Sequence, residues 1–441
     1  MARGRAEEFD LDFDEPTAAQ DGDETGPVPA DRRRKSQGVP RPLVLWAGVS
    51  VILVIAGILT VPPPPPGPSW GVGPGWSSPP VEQWTVPLTV PATELTSLSI
   101  EEESVLVAGP DRLDAYDRAD GTLRSAVSDV QRCAVADAAP DVMAVCISGA
   151  GANALVAIVD SSGDVREVAL PGAVSATLRG DDLVVLTEAG DAGYELTLHA
   201  GLDPAELRWS NSVAAPNLAA GVETVGDETP RVRVQEGDLV LLSTGDLYRA
   251  ATGEQIPGSW SQYPDDRALI SWDGERTQLL LPGADEVLDL PRLGWPSLIN
   301  DGSSPAVAML PSESDGSSTD AVTWDGDLLW QGPTEQPVAR FGDVILLTGS
   351  DSGGRRVSTG TRLWSIPDLV LCPCRGDASG LLVHAVEYGR EGIVDTRLLG
   401  LRVTDGEMLW ELYLADGARV ADTDEALAVL VDGQLTLYSR T

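Results

Sequence analysis

From Val81 to the last residue, apolar positions come in short runs separated by Gly, Asp, Ser and Pro, and no long stretch keeps a helical period. The clearest unit spans 104–128. There Val105-Leu106-Val107 reads as a buried strand, and a turn at Gly109-Pro110-Asp111 leads into the alternating Leu113-Asp114-Ala115-Tyr116. Asp120-Gly121 then turns the chain into a third strand. The phrase returns at 142–171, 183–213, 238–260 and 267–291, with further copies from Pro305, Asp343 and Gly380. A last copy, 426–440, stops before its final strand.

Leu43 to Val61 breaks this pattern with nineteen residues that carry no charge. As a helix the run would span about 28 Å, against a hydrocarbon core of about 30 Å. Arg32, Arg33, Arg34, Lys35 and Arg41 precede it, Trp46 sits near one end, and no charged residue follows until Glu82. Positive flanks stay in the cytoplasm, so the chain reads as a single-pass protein of the cell membrane, N-terminus inside and C-terminal domain extracytoplasmic. A cleaved signal peptide is the competing reading. Its apolar region would be shorter, begin nearer the N-terminus and end at a small-residue site, whereas this run leads into Pro62 to Pro66, an extended polyproline spacer. Four segments follow: 1–41, a disordered acidic tail with a basic juxtamembrane segment; 43–61, the transmembrane helix; 62–80, a Pro/Gly-rich linker; and 81–441, the outer domain.

The copies in the outer domain start about 40 residues apart, the period of a four-stranded propeller blade. A propeller must close its ring. The last copy lacks an outer strand, and Glu82-Gln83-Trp84-Thr85-Val86-Pro87-Leu88 at the start of the domain looks like an orphan one. Pairing the two would complete a blade. Nine copies can be counted, but the interval from Leu239 to Ala268 is short, and one copy reads as a false split. The expectation is an all-β fold, a single β-propeller of eight blades, with seven as the alternative.

An aliphatic strand, then Asp-Gly or Thr-Gly, then Leu-Trp recurs at Leu113 to Leu123, Ala250 to Glu254, Asp325 to Trp330, Leu363-Trp364 and Leu401 to Trp410. This resembles the PQQ-type propeller repeat, in degenerate form, over roughly residues 81–441. The resemblance implies that Trp84, Trp209, Trp330, Trp364 and Trp410 pack blades together, each indole between neighbours with its N–H on a carbonyl. An aromatic platform at Trp70, Trp76 or Trp295 is the alternative use. Quinone-dependent members of that family carry vicinal cysteines and a calcium cage. Here Pro373 separates Cys372 from Cys374, and no dense Glu/Asn/Asp set is evident. Non-enzymatic members act as scaffolds in envelope assembly, and the resemblance fits these better.

Charge narrows the partners. The 68 acids and 30 bases give a formal net charge of −38, which argues against nucleic acid or anionic lipid as a partner of the outer domain. Lys35 is the single lysine, and the Arg-, Ala- and Gly-rich composition points to a GC-rich bacterial coding sequence. In the tail, Phe9, Leu11 and Phe13 alternate with acids and could dock on a basic groove, although a solvated tail explains them as well.

The four cysteines, Cys133, Cys146, Cys372 and Cys374, are disulfide candidates in an outer domain. Structural zinc would need paired ligand sets, and neither His199 nor His384 lies near a cysteine. A Cys133–Cys146 bridge would close a hairpin. Cys372 and Cys374 could pair with each other, giving an easily reduced bond, or cross-pair with the first two. No GxSxG, P-loop or HExxH is present, and both histidines fall in strand patterns. The expected function is a non-catalytic, membrane-anchored module without a cofactor, binding an envelope protein or an extracytoplasmic ligand. The alternatives are a quinone- or calcium-dependent oxidoreductase and a sensor coupled to the tail.

Overall fold

The computed structural model describes residues 67–88, 97–135, 142–190, 193–214, 229–235, 238–263, 268–272, 276–281, 284, 286–290, 294–312, 318–349, 352–389, 392–415 and 417–441. The apolar run Leu43 to Val61 and the acidic tail lie outside these residues. Among the described residues no helix is long and apolar enough to cross a membrane.

The described strands form nine sheets, antiparallel apart from one short parallel pair, that follow one another along the chain. Numbered as blades, they occupy 97–128, 130–169, 173–213, 232–256, 260–289, 295–333, 336–365, 369–414 and, for blade 9, 419–439. In each, the first strand lies on the inner side and later strands step outward, blade 7 carrying one further short strand inside its first. Second strands are mostly apolar and buried, as in Ser104–Ala108, Leu239–Leu242 and Ala426–Val431, because both faces are covered by neighbouring blades. Outer strands alternate, with Met408–Leu414 burying only Trp410 and Leu414.

The core is therefore a set of layers between blades. Val145 and Ile158 of blade 2 pack with Leu178 and Leu183 of blade 3. Leu241 and Leu247 of blade 4 pack with Trp260 and Leu269 of blade 5. Leu398 of blade 8 packs with Leu427 of blade 9, and Leu430 of blade 9 with Val105 of blade 1. Every neighbouring pair shares such a layer, so the ring is closed. It is a propeller of nine blades.

The expectation of eight or seven blades is corrected by this count. The interval read as a false split holds two genuine blades, compressed by their outer strands. Gln255–Ile256 and Leu288–Asp289 have two residues each, and the third strand of blade 4, Leu247–Arg249, has three.

Blade 9 is assembled from both ends of the chain. Arg419–Asp422, Ala426–Val431 and Gln434–Ser439 supply three strands, and Val81–Pro87 pairs antiparallel with the last of them as the outermost. Trp84 faces Leu437 and Val86 faces Leu435. The Thr85 and Thr436 hydroxyls hydrogen-bond at 2.9 Å, and Gln83 Nε2 donates to Ser439 Oγ at 2.7 Å.

Residues 67–80, read from the sequence as part of the linker, are held against the ring. Trp70 forms an antiparallel bridge with Asn300, and its Nε1–H donates to Ser297 O at 2.9 Å. Asn300 itself lies on a short strand, Ile299–Asn300, which runs parallel to Gln336–Phe341 and gives blade 7 a fifth strand. Further on, Trp76 N donates to Gly380 O at 2.8 Å, and the Trp76 side chain is fully buried.

Candidate functional site: the central channel

Innermost strands carry polar residues because one of their faces meets the ring axis rather than another blade. Ser97 and Ser99 of blade 1, Ser175 and Thr177 of blade 3, and Gln262 of blade 5 line a cavity of about 490 Å³ on that axis. Four arginines line it too: Arg132, Arg231, Arg233 and Arg375. Its described acids are Glu101 and Asp422. In a chain with a net charge of −38 this is a local reversal of sign.

Two of the arginines stand on irregular backbone. Arg132 has a φ of 47°, a left-handed conformation that a side chain with a Cβ adopts only at a cost. It sits where Val130–Val135 bulges against its neighbour, the register shifting between Gln131 and Ala134. Cys133, the next residue, is bonded to Cys146 on the second strand of the same blade, with the two Cα atoms 3.9 Å apart. Thus stapled, Arg132 reaches out of blade 2. Its Nη1 donates to Val174 O at 3.3 Å in blade 3, and its Nη2 to Thr229 Oγ1 at 2.9 Å just before blade 4.

Arg375 repeats the arrangement on blade 8. The inner strand Leu369–Asp377 shifts register between Leu371 and Arg375, and the Cys372–Cys374 disulfide falls within that shift. Arg375 pairs with Asp422 on the inner strand of blade 9 and lies 3.6 Å from Asp424. Both disulfides therefore sit one residue from a channel arginine, and together they use all four cysteines.

Arg231 and Arg233 are placed differently. They are two residues apart along an extended inner segment, so both face the axis while Val232 turns into the core. Ser175 Oγ and Ser243 Oγ accept the backbone N–H groups of Val232 and Arg231, at 3.0 and 2.9 Å. Arg233 Nη1 donates to Gln262 Oε1 at 3.0 Å. Guanidinium groups stay protonated at any physiological pH and offer a planar fork of donors, so the channel presents fixed positive charge.

The five tryptophans named from the sequence lie at joints between blades. Trp84 Nε1 donates to Arg118 O at 3.0 Å, Trp209 to Ala250 O at 2.8 Å, Trp330 to Val357 O at 2.8 Å and Trp364 to Val403 O at 3.0 Å. Each acceptor belongs to the next blade and precedes by three residues a turn glycine, respectively Gly121, Gly253, Gly360 and Gly406, with φ between 69° and 74°. The indole lies so close over that glycine that no Cβ would fit. At the first joint after closure Ser125 takes the tryptophan's place against Gly163. Trp410 has no such turn ahead of it, and donates instead to Trp76 O at 2.8 Å. Burial of Trp70 and Trp76 removes them as an exposed aromatic platform.

His199 and His384 do not line the channel. His199 Nε2 lies 3.0 Å from Thr197 Oγ1, and the Nε2 of His384 is buried without a hydrogen-bond partner. Burial holds both imidazoles below their ordinary pKa. Among the described residues no group of three or more His, Cys, Asp or Glu side chains is arranged to hold a metal ion.

The sequence reading named none of the channel arginines. They are scattered along the chain, and the readable signals were the Arg-Val-Arg alternation at 231–233 and the adjacency of one arginine to each cysteine pair.

Fold and lining define a class: a closed nine-bladed β-propeller with a polar, arginine-bearing channel. No protein-family model matches the chain, and no curated protein sequence matches it. Among solved structures it is similar to the crystal structure of BamB from Moraxella catarrhalis, at 12% identity and a TM-score of 0.44, over 82% of this chain and 100% of that one. It is also similar to the computationally designed Ika8 protein, at 11% identity and a TM-score of 0.37, over 81% and 99%. At such values the propeller rests on its own strand order and blade contacts.

Proposed function

We propose that the chain is a membrane-anchored, extracytoplasmic propeller that binds an envelope protein or a ligand and performs no chemistry of its own. The observation that carries the reading is the pairing of all four cysteines within blades. Disulfides persist in oxidising compartments and are rare in the cytosol. The apolar run Leu43 to Val61, with its arginines on the N-terminal side, supports the same topology from independent physics. The ring supplies what a binding module needs: a rigid frame, closed by its own terminus, and a channel lined by polar side chains.

The test uses a peculiarity of the chain. The single lysine, Lys35, lies on the proposed cytoplasmic side. A membrane-impermeant amine reagent should leave the protein unlabelled in intact cells and label it after lysis. Labelling in intact cells would overturn the topology. Photo-crosslinking of the full chain in cells should then yield a stoichiometric envelope partner or a retained small molecule. Recovery of neither would sink the binding role.

A further inference from the structure

We propose that the channel is a site for a small organic oxyanion, a ligand bearing phosphate or carboxylate groups. The inference rests on the ring's being a binding module, and not on its anchoring. It begins from charge. A wall that served solvation alone would share the acidic excess of the chain. Yet the described lining sets Arg132, Arg231, Arg233 and Arg375 against Glu101 and Asp422. Arg375 engages Asp422, which is nearly fully buried, so that pair is closed on itself. Beyond that pair the described lining keeps the exposed Arg231 and Arg233 of blade 4, with Arg132 of blade 2 and Glu101 of blade 1 beside them.

The second ground is backbone cost. Left-handed residues with a Cβ are retained where the surroundings over-determine them, and such positions gather at ligand sites. Arg132 is one, fixed by the neighbouring Cys133–Cys146 bond and by hydrogen bonds to Val174 O and Thr229 Oγ1. A guanidinium so held is pre-organised, and a ligand need not order it on arrival. Arg231 and Arg233 stand on a regular strand segment of blade 4, both toward the axis. The forked donors of arginine match the oxygen pairs of carboxylate and phosphate. Around them Ser97, Ser99, Ser175 and Thr177 offer hydroxyls that can donate to further ligand oxygens. The cavity volume, about 490 Å³, suits a compact metabolite-sized molecule rather than a folded partner.

The experiment is titration calorimetry on the full chain in detergent at low ionic strength. The probes are pyrophosphate for phosphate chemistry and citrate for carboxylate chemistry. Matched sodium chloride controls for screening. One probe should bind saturably, and which one does so distinguishes the two ligand sources. The R231Q/R233Q double variant, altered at two exposed side chains, should weaken binding at least tenfold while keeping the wild-type unfolding midpoint. Arg132→Lys, which keeps the charge and loses the fork, should weaken it less. Absence of saturable binding by either probe would overturn the proposal, as would equal affinity in the double variant. Either failure leaves the envelope reading to its own test, since labelling topology and crosslinked partners do not depend on these arginines.

Discussion

Trp410 donates its indole N–H to the main-chain oxygen of Trp76, 2.8 Å away and 334 positions earlier in the chain. At the comparable joints the acceptor is a turn in the next blade. Blade 9 has no such turn, because its outer strand comes from the other end of the chain, and Trp76 fills the gap. Its own ring is fully buried beside that of Trp410, with centroids 6.4 Å apart.

The pair should respond asymmetrically to substitution. Trp410→Phe leaves Trp76 O buried and without its donor, at a cost of about 1–3 kcal/mol. Trp76 Nε1 has no hydrogen-bond partner, so Trp76→Phe should cost less despite the deeper burial. Trp76→Ala opens a cavity and should cost about 3–5 kcal/mol. Urea unfolding of the full chain, followed by circular dichroism, gives the ranking.

Gly253→Ala tests the joints themselves. The added Cβ would stand 2.8 Å from Trp209 Cδ2, at a φ of +73° that disfavours any side chain. Overpacking and the left-handed backbone together should cost about 2–4 kcal/mol. The same substitution at Gly417, where a Cβ would meet nothing within 4 Å and φ is +76°, should carry only the backbone part. Equal losses at the two sites would show that the indole contact is irrelevant.

Stability should fall with acidification already in the range where His199 and His384 titrate in the unfolded chain. Burial lowers the pKa of both His199 and His384 in the folded state. Below the unfolded value of about 6.5, the unfolded chain takes up protons that the folded one refuses, so folding weakens as pH drops and levels off once the folded pKa is passed. Asp120, Asp160 and Asp405, whose pKa values are lowered chiefly by hydrogen bonds from Thr122, Ser162 and the Glu407 backbone respectively, act in a separate window below about pH 4. His384→Leu should flatten the decline between pH 7 and 5, measured as unfolding midpoints; an unchanged slope would exclude that histidine.

Replacing Cys133 and Cys146 together with serine should cost about 3 kcal/mol, from the closed loop alone. Because Arg132 is held by the same bulge, the double variant should also weaken binding of whichever oxyanion probe the wild type takes. The replacement at Cys372 and Cys374 should act through Arg375 and its pair with Asp422, leaving Arg132 in place.

The second to fourth strands of the wider blades were legible because neighbouring blades cover them, and burial writes apolar runs that turns punctuate. Closure by Glu82 to Leu88 was legible for the same reason, an unpaired alternating strand at one end and a missing one at the other. The inner strands were not. Ser97–Ile100, Val232–Gln235 and Arg419–Asp422 carry serine, arginine and aspartate toward the axis, which reads as loop. The site went unseen with them, since its arginines meet only after the ring has closed. Trp76 was hidden by proline and glycine around it, a composition that suits a chain lying flat on a surface as well as a free linker. One of the two narrow blades was discounted as a false split because their outer strands are too short to alternate.

The outer strand of blade 9 is also the first part of the ring to be synthesised, and its partner, Gln434–Ser439, is the last. At ordinary elongation rates of about 5–20 residues per second, the two are made roughly 20–70 seconds apart. Throughout that interval Val81–Pro87 has no strand to pair with, and Trp84 no glycine turn until blade 1 has followed. A chain lacking Gln434–Ser439 would leave Val81–Pro87 without the strand it pairs with. The ring can therefore close only after Gln434–Ser439 has emerged, however early the other blades form.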